Sequence, residues 1–417
     1  RHALARRDVR LTACASAAAR RRAREFFMSL QAFRLGEKLA ERRLQQRLRQ
    51  CKTHDSPQGP RLQRNGRVYL NFSSNDYLGL ASHPSVTQAL VKAAGHYGVG
   101  SGAAHLVCGH TREHAALEEE LADFTGREAA LLFSTGYMAN LGTIQALAGR
   151  GDAVFEDRLN HASLLDGGLA SEARFQRYRH NDVTHLQTLL AETDARAKLV
   201  VTDSVFSMDG DLSPLAGLAR LAAEYEAALM VDDAHGFGVL GPNGEGTLAA
   251  LGLPPGDIPV YMATLGKAAG TFGAFVAGSR ELVEYLTNFA RPYIYTTAMP
   301  AALSAATRES LRLIRTESWR RGHLSNLIRH FRTGALAQGW PLMASDTAIQ
   351  PLLLGDDAAA LALSQSLADR GFWVTAIRPP TVPVGQARLR ITLTAAHGVE
   401  DVDALLAALA EIRESGS

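Results

Sequence analysis

Cysteine is scarce. The 417 residues hold three, Cys14, Cys51 and Cys108, with no C-x-x-C pair and no histidine at zinc-ligand spacing. That excludes a disulfide scaffold and a structural zinc site, no metal is expected, and a reducing, cytoplasmic compartment fits. Long apolar runs are also missing. Mean hydropathy is −0.07, and no run of about 18 uncharged apolar residues occurs, so the sequence offers no membrane-spanning helix. Several catalytic signatures are absent: there is no G-x-x-x-x-G-K-[ST], no H-E-x-x-H and no G-x-S-x-G, which sets aside P-loop, zincin and α/β-hydrolase chemistry.

A basic body is lacking as well. The net charge of +2 conceals a division: residues 1–27 carry eight arginines against Asp8 and Glu25, and the rest of the chain is mildly acidic. An acidic body argues against a nucleic-acid surface. The Ala/Arg-rich leader has the composition of a transit-like peptide. The simpler reading, adopted here, starts translation at Met28 and treats residues 1–27 as a non-native, disordered segment.

What remains is an ordinary globular composition, 46% apolar and 21% charged. Residues 29–50 read as a helix and Arg67–Phe72 as a strand. Short apolar runs then alternate with amphipathic helices: Ala129–Phe133, Asp152–Glu156, Arg174–Tyr178, Lys198–Thr202, Ala228–Val231, Val260–Thr264 and Gly273–Ala277. The alternation predicts an α/β fold with a mostly parallel sheet of about seven strands, covered on both faces. Past Pro300 a long helical stretch to about Gly339, strands near Ile349–Leu354, Trp373–Ile377 and Ala387–Leu393, and a last helix predict a smaller α+β domain. The expected divisions are a 28–72 N-terminal segment, a 73–298 large domain and a 299–417 small domain.

Candidate chemistry sits where strands end. Lys267 follows Val260–Thr264 among small apolar residues. Burial there would depress its pKa and supply the neutral amine that Schiff-base chemistry needs, although a loop lysine is ordinarily a surface residue. Asp232 ends the run Ala227–Val231, where α/β sheets bind ligands. It serves equally well as a helix cap, yet an Asp at one strand end and a Lys at another about 30 residues on match a pyridoxal 5′-phosphate (PLP) site, the Asp pairing a protonated pyridine nitrogen. Gly136 opens the helix after Ala129–Phe133, a phosphate-binding position or merely a tight turn. His161 offers a flat ring for stacking, and Ser207 a loop hydroxyl. Gly98–Gly102 resembles a phosphate loop but follows no apolar strand, and reads as backbone lining a site.

Four segments carry a family resemblance: Asn71–Gly79, Asp203–Gly210, Val231–Gly236 and Thr264–Lys267. Together they resemble the α-oxoamine synthases, PLP enzymes of fold type I that act as homodimers with shared active sites. Within that family, Thr375–Pro383 and Arg388–His397 are similar to the branch that joins L-alanine to a pimeloyl thioester, pimeloyl-CoA or pimeloyl-carrier protein. The glycine-using branches, glycine C-acetyltransferase and 5-aminolevulinate synthase, stand as the alternative. The resemblance implies that Lys267 bonds the cofactor aldehyde and then moves the alanine Cα proton. Asp232 would keep the pyridine nitrogen protonated, His235 would hydrogen-bond the phenolic oxygen, and His161 would stack on the ring. Gly136, Tyr137, Ser207 and Thr264 would hold cofactor and phosphate, with Thr296 and Thr297 reaching the phosphate of the partner's site. Arg378 would pair with the amino-acid carboxylate, Arg49 and Thr381 would contact the acyl substrate, and Asn75 would line the site. Two positions depart from the family: Tyr137 stands where Phe is common, and Phe237 where a small polar residue such as Thr is usual.

Overall fold

The computed structural model describes residue 30, residues 32–45 and residues 47–415. The arginine-rich leader, with the disorder expected of it, lies outside the described residues. The described residues fall into two compact units, one ending at Lys52 and the other beginning at Thr53. In the first, the expected helix is shorter than its apolar pattern suggested, spanning Leu35–Leu44. No side chain caps its start, and Arg34 there adopts a left-handed conformation.

The second unit contains three sheets. β1 (Arg61–Arg64) and β2 (Arg67–Asn71) form a hairpin joined by β11 (Phe372–Trp373). β1 escaped the sequence reading, although its signal was present. Asn65-Gly66 forms the turn with both φ angles positive, the arrangement that matches strand twist in a two-residue hairpin loop. β10 (Ile349–Gly355), β13 (Ala387–Thr392) and β12 (Thr375–Ile377) make a second sheet, antiparallel throughout.

The large sheet has the seven strands expected, in the order β3-β9-β8-β7-β6-β4-β5. They are β3 (Ala129–Phe133), β4 (Ala153–Asp157), β5 (Arg174–Tyr178), β6 (Lys198–Asp203), β7 (Ala228–Asp232), β8 (Val260–Thr264) and β9 (Ala274–Gly278). Only β9 runs against its neighbours. Alternate side chains enter two separate cores. Val200, Leu229 and Val231 join one, and Leu199, Val201 and Met230 the other. Both faces are therefore covered, which is why these strands read as continuous apolar runs rather than alternating ones. Helices Gly136–Leu147, Ala162–Ala170 and Leu215–Glu224 follow strands β3, β4 and β6. The carboxyl ends of β3, β4, β6, β7 and β8 consequently meet along one edge, where open α/β sheets bind ligands.

The helical stretch past Pro300 is two helices, Ala301–Thr316 and Trp319–Ala337. The break falls at Glu317, which leaves helical geometry at φ −108°, ψ 55°.

Candidate active site

Lys267 lies just past β8 in a turn whose neighbours Ala268 and Ala269 are buried. Its Nζ is 2.9 Å from Nε2 of His235. The lysine is half-buried by surface area, but protein crowds the amine. Desolvation lowers its pKa to about 8, Asp232 and Asp203 oppose that shift, and Arg390 adds to it. Half the lysines are thus neutral near pH 8, which is the form a nucleophilic amine requires.

His235 is buried, and its Nδ1 lies 2.5 Å from Tyr77 Oη. Burial first, then the Lys267 and Arg390 charges, hold it well below its usual range, so the ring is neutral. Tyr77 also reaches Asn75 Oδ1 at 3.3 Å, and Arg390 Nη1 donates to that oxygen at 3.0 Å. Arg390 Nε donates to the Ser207 carbonyl at 2.7 Å. A continuous polar chain therefore links β13 of the second sheet to the lysine.

Asp232 terminates β7 and is buried. Its Oδ1 accepts from the Ala234 N–H at 2.9 Å and its Oδ2 from Asn140 Nδ2 at 2.7 Å. The next residue, Asp233, does a different job. It accepts from the Tyr261 hydroxyl and from the Thr247 N–H and hydroxyl, and so locks the following turn from inside the core. A second carboxylate, Asp203, is the registered neighbour of Asp232 across β6 and β7. Burial, then the charge of Asp232, raises its pKa well above the carboxylate range, while the His161 N–H, donating to Oδ2 at 2.6 Å, opposes this.

His161 caps helix Ala162–Ala170. Its ring is exposed by surface area, although the protein around it lowers its pKa, with Asp232 opposing and Lys267 reinforcing. Gly136 and Thr264 meet at the opposite side of the same edge. A Cβ at Gly136 would lie 2.6 Å from Thr264 Cγ2, so only glycine fits beside that threonine. Thr264 Oγ1 is buried without a partner. Thr135 caps the helix N-terminus by accepting from the Met138 N–H at 3.2 Å. Ser134 Oγ donates to the Thr297 carbonyl at 3.4 Å, which brings the Thr296–Thr297 segment to this helix start. The Gly98–Gly102 segment arrives there too, with Ser101 Oγ donating to Met299 O at 2.6 Å and Ala298 N to Ala103 O at 2.9 Å.

Lys267, His235, Asp232, His161, Ser207, Thr264, Gly136 and Asn75 are thus gathered along one edge. Tyr137 starts the Gly136 helix, is partly exposed, and its hydroxyl donates to Asp166. Arg378 and Thr381 share a turn in which the Thr381 N–H donates to Arg378 O at 3.1 Å. Thr381 lines a cavity of about 210 Å³ with Leu159, Phe206, Met208, Val382 and Arg388. Arg49 belongs to the other compact unit. Phe237 does not shape the site through its ring. It is buried against Phe124 and Phe275 in edge-on contacts. A separate, mainly apolar cavity of about 470 Å³ opens at the opposite end of the sheet, where β4, β6, β7 and β8 begin, far in topology from the chemistry.

Tyr77, Asn140, Ser163, Asp203 and Arg390 were not assigned roles from sequence. Asp203 carried a signal: like Asp232, it ends an apolar run of the expected sheet.

The edge offers what PLP demands: an amine of depressed pKa, a buried carboxylate, an exposed flat ring, an orphaned hydroxyl and a helix N-terminus next to it. The model for aminotransferase class I and II matches residues 67–409. The chain belongs to that family, the class its fold and site define. A relative from Cellvibrio japonicus is 62% identical over 381 residues, covering 91% of this chain and 96% of its own, and is named 8-amino-7-oxononanoate synthase. One of the same name from Saccharophagus degradans is 58% identical over 387 residues, covering 92% and 97%. Among solved structures, a serine palmitoyltransferase variant from S. paucimobilis, with bound PLP and myriocin, is 32% identical with TM-score 0.87 over 93% of this chain and 98% of that one. The 8-amino-7-oxononanoate synthase of Francisella tularensis gives 31% and TM-score 0.73 over 84% and 98%. Within its class, the chain belongs with the 8-amino-7-oxononanoate synthases.

Proposed function

We propose that the chain condenses L-alanine with a pimeloyl thioester, releasing CO2 and the free thiol and yielding 8-amino-7-oxononanoate for biotin synthesis. The observation that carries the reading is the meeting of Lys267, His235 and Asp232 at the ends of β7 and β8, in a chain 58–62% identical to relatives of that name. PLP, the cofactor of the class, supplies an aldehyde that bonds the amino acid and a ring that delocalises the charge left at Cα.

The residues divide the remaining work. Lys267, poised near pH 8, takes and returns the proton at the alanine Cα. Asp232, anionic and buried, keeps the pyridine nitrogen protonated, since an unpaired buried cation would shed its proton. His235 donates to the phenolic oxygen, and His161 covers one face of the ring and excludes water. Gly136, Tyr137, Ser207 and Thr264 hold the phosphate end, Thr264 through the hydroxyl that otherwise has no partner. Thr296 and Thr297 reach the partner's phosphate in a homodimer. Arg378 pairs bidentately with the alanine carboxylate. Asn75 lines the pocket, and Arg49 and Thr381 contact the acyl donor, Thr381 opening on a cavity walled by Leu159, Phe206 and Val382 but also by Asp209 and Arg388. Pimeloyl-CoA and the pimeloyl-carrier protein present the same thioester, and a cytoplasmic location suits both. Among the described residues no helix is long and apolar enough to cross a membrane.

The test is to mix purified protein, PLP, L-alanine and pimeloyl-CoA and to look for the nine-carbon amino-ketone. Turnover with alanine, and little with glycine and acetyl- or succinyl-CoA, is expected. The reverse preference would overturn the reading in favour of a glycine-using synthase.

A further inference from the structure

Asn140 is fully buried in the middle of helix Gly136–Leu147 and faces two groups of the site. Its Nδ2 lies 2.7 Å from Asp232 Oδ2 and 2.9 Å from Ser163 Oγ. Ser163 Oγ in turn lies 2.7 Å from His161 Nδ1.

Chemistry sets the direction of each bond. An ionised carboxylate only accepts, so the amide atom facing Asp232 is the nitrogen. That nitrogen has two protons. One goes to Asp232 and the other to Ser163. The Ser163 hydroxyl, already accepting, gives its single proton to His161 Nδ1. The Ser163 N–H points at the same ring nitrogen from 3.3 Å. His161 Nδ1 is therefore an acceptor, and the neutral ring carries its proton on Nε2. Meanwhile Asn140 Oδ1 is buried with no partner. An unmade bond of this kind costs about 1–3 kcal/mol. A side chain selected for packing alone would avoid that cost, because an apolar isostere fits a helix interior of Ala139 and Leu141 better.

We infer that Asn140 is a positioning residue whose amide holds Asp232 toward the cofactor nitrogen and, through Ser163, fixes the orientation and tautomer of the His161 ring. One amide thus sets both the carboxylate beneath the ring edge and the imidazole on its face. The inference rests on the roles given above to Asp232 and His161. The same amide sets Asp232 apart from its neighbour Asp203: the Asp232 carboxylate accepts from both Asn140 and the Ala234 N–H, whereas the Asp203 carboxylate accepts from the His161 N–H.

The test uses Asn140→Leu, Asn140→Ala and Ser163→Ala in the full chain. In the PLP-free protein, 15N NMR of the histidine rings, assigned with a His161→Gln variant, reports the tautomer without any turnover. The wild type should show His161 Nδ1 as an acceptor. Both Asn140→Leu and Ser163→Ala should move that resonance in the same direction. In the holoenzyme, Asn140→Leu should lower kcat about 10- to 100-fold with the KM for alanine changed by less than about threefold. Ser163→Ala, which leaves Asp232 its donor, should lose less than about tenfold. The double variant should weaken PLP no more than Asn140→Leu alone, as expected for residues in one chain. Should Asn140→Leu fail to fold, Asn140→Ala is smaller, lacks both donors and must show the same losses. Unmoved His161 resonances in both single variants, or kcat within about twofold of wild type in Asn140→Ala, would overturn the inference. If Asp232→Asn in parallel also kept near-normal turnover, the role of Asp232 itself would fall with it; a crippled Asp232→Asn beside a normal Asn140→Ala would remove Asn140 alone.

Discussion

The Lys267 amine lies 2.9 Å from Nε2 of a histidine, His235, that is held neutral by its burial and by the cations around it. The lysine charge helps hold the histidine neutral. Burial makes the amine itself available as a free base, its pKa lowered from 10.5 to about 8 against the opposing charges of Asp232 and Asp203.

Covalent capture of PLP should therefore rise with pH around a midpoint near 8. Stopped-flow absorbance of PLP added to the cofactor-free protein measures it. Lys267→Ala should show no capture at any pH and lose at least about 10³-fold in turnover. A midpoint above 10 would mean that the amine is not desolvated as described.

Asp232→Asn removes the negative charge but keeps the shape. It should lower kcat by about 10²–10⁴-fold while PLP affinity falls by less than about tenfold, because the charge acts on the reacting electrons more than on binding. Fluorescence titration with PLP and initial rates on the same preparation separate the two effects. Near-normal turnover would remove the electron-sink role.

Tyr77→Phe deletes the hydroxyl 2.5 Å from His235 Nδ1 and the link onward to Asn75 and Arg390. The buried ring nitrogen is left without that partner, so kcat should drop about tenfold and folding stability should fall by about 1–3 kcal/mol. Steady-state kinetics and a thermal melt check both halves of this expectation. A normal kcat would show that His235 needs no support from Tyr77.

His180 gives a stability prediction outside the chemistry. Burial alone would lower its pKa, but its ring nitrogens meet Asp157 at 3.0 Å and Asp211 at 2.9 Å, and together these raise it to about 10. The imidazolium is favoured in the folded chain, so its contribution is complete below the unfolded value of about 6.5 and fades as pH rises toward 10. His180→Asn should cost about 2 kcal/mol at pH 6 and progressively less by pH 10. Urea unfolding at several pH values measures it, and a penalty that grows with pH would contradict the ion-pair account.

Much of this was legible in the chain. Seven apolar runs announced the large sheet because its strands are buried on both faces and need no alternation. Lys267 and Asp232 were legible because strand ends in such a sheet face one edge, and His235 through the family resemblance. Tyr77, Asn140 and Ser163 were not, since their partners lie 158, 92 and 23 residues away and depend on how a loop and two helices seat against that edge. Asn140 did carry a faint sign, a lone amide in the apolar helical segment Met138–Leu141. The consequence of Phe237, a departure from the family pattern, could not be read from the chain, since its ring packs into the core between Phe124 and Phe275. β1 was hidden by its composition, Arg-Leu-Gln-Arg, which lacks any apolar alternation beyond Leu62.

A crystal structure of the protein grown with PLP tests the central claim most directly. The account predicts the cofactor aldehyde carbon bonded to Lys267 Nζ, the pyridine nitrogen within about 3 Å of Asp232, and the His161 ring stacked on its face. A cofactor seated elsewhere, or one whose pyridine nitrogen faces a group other than Asp232, would contradict it.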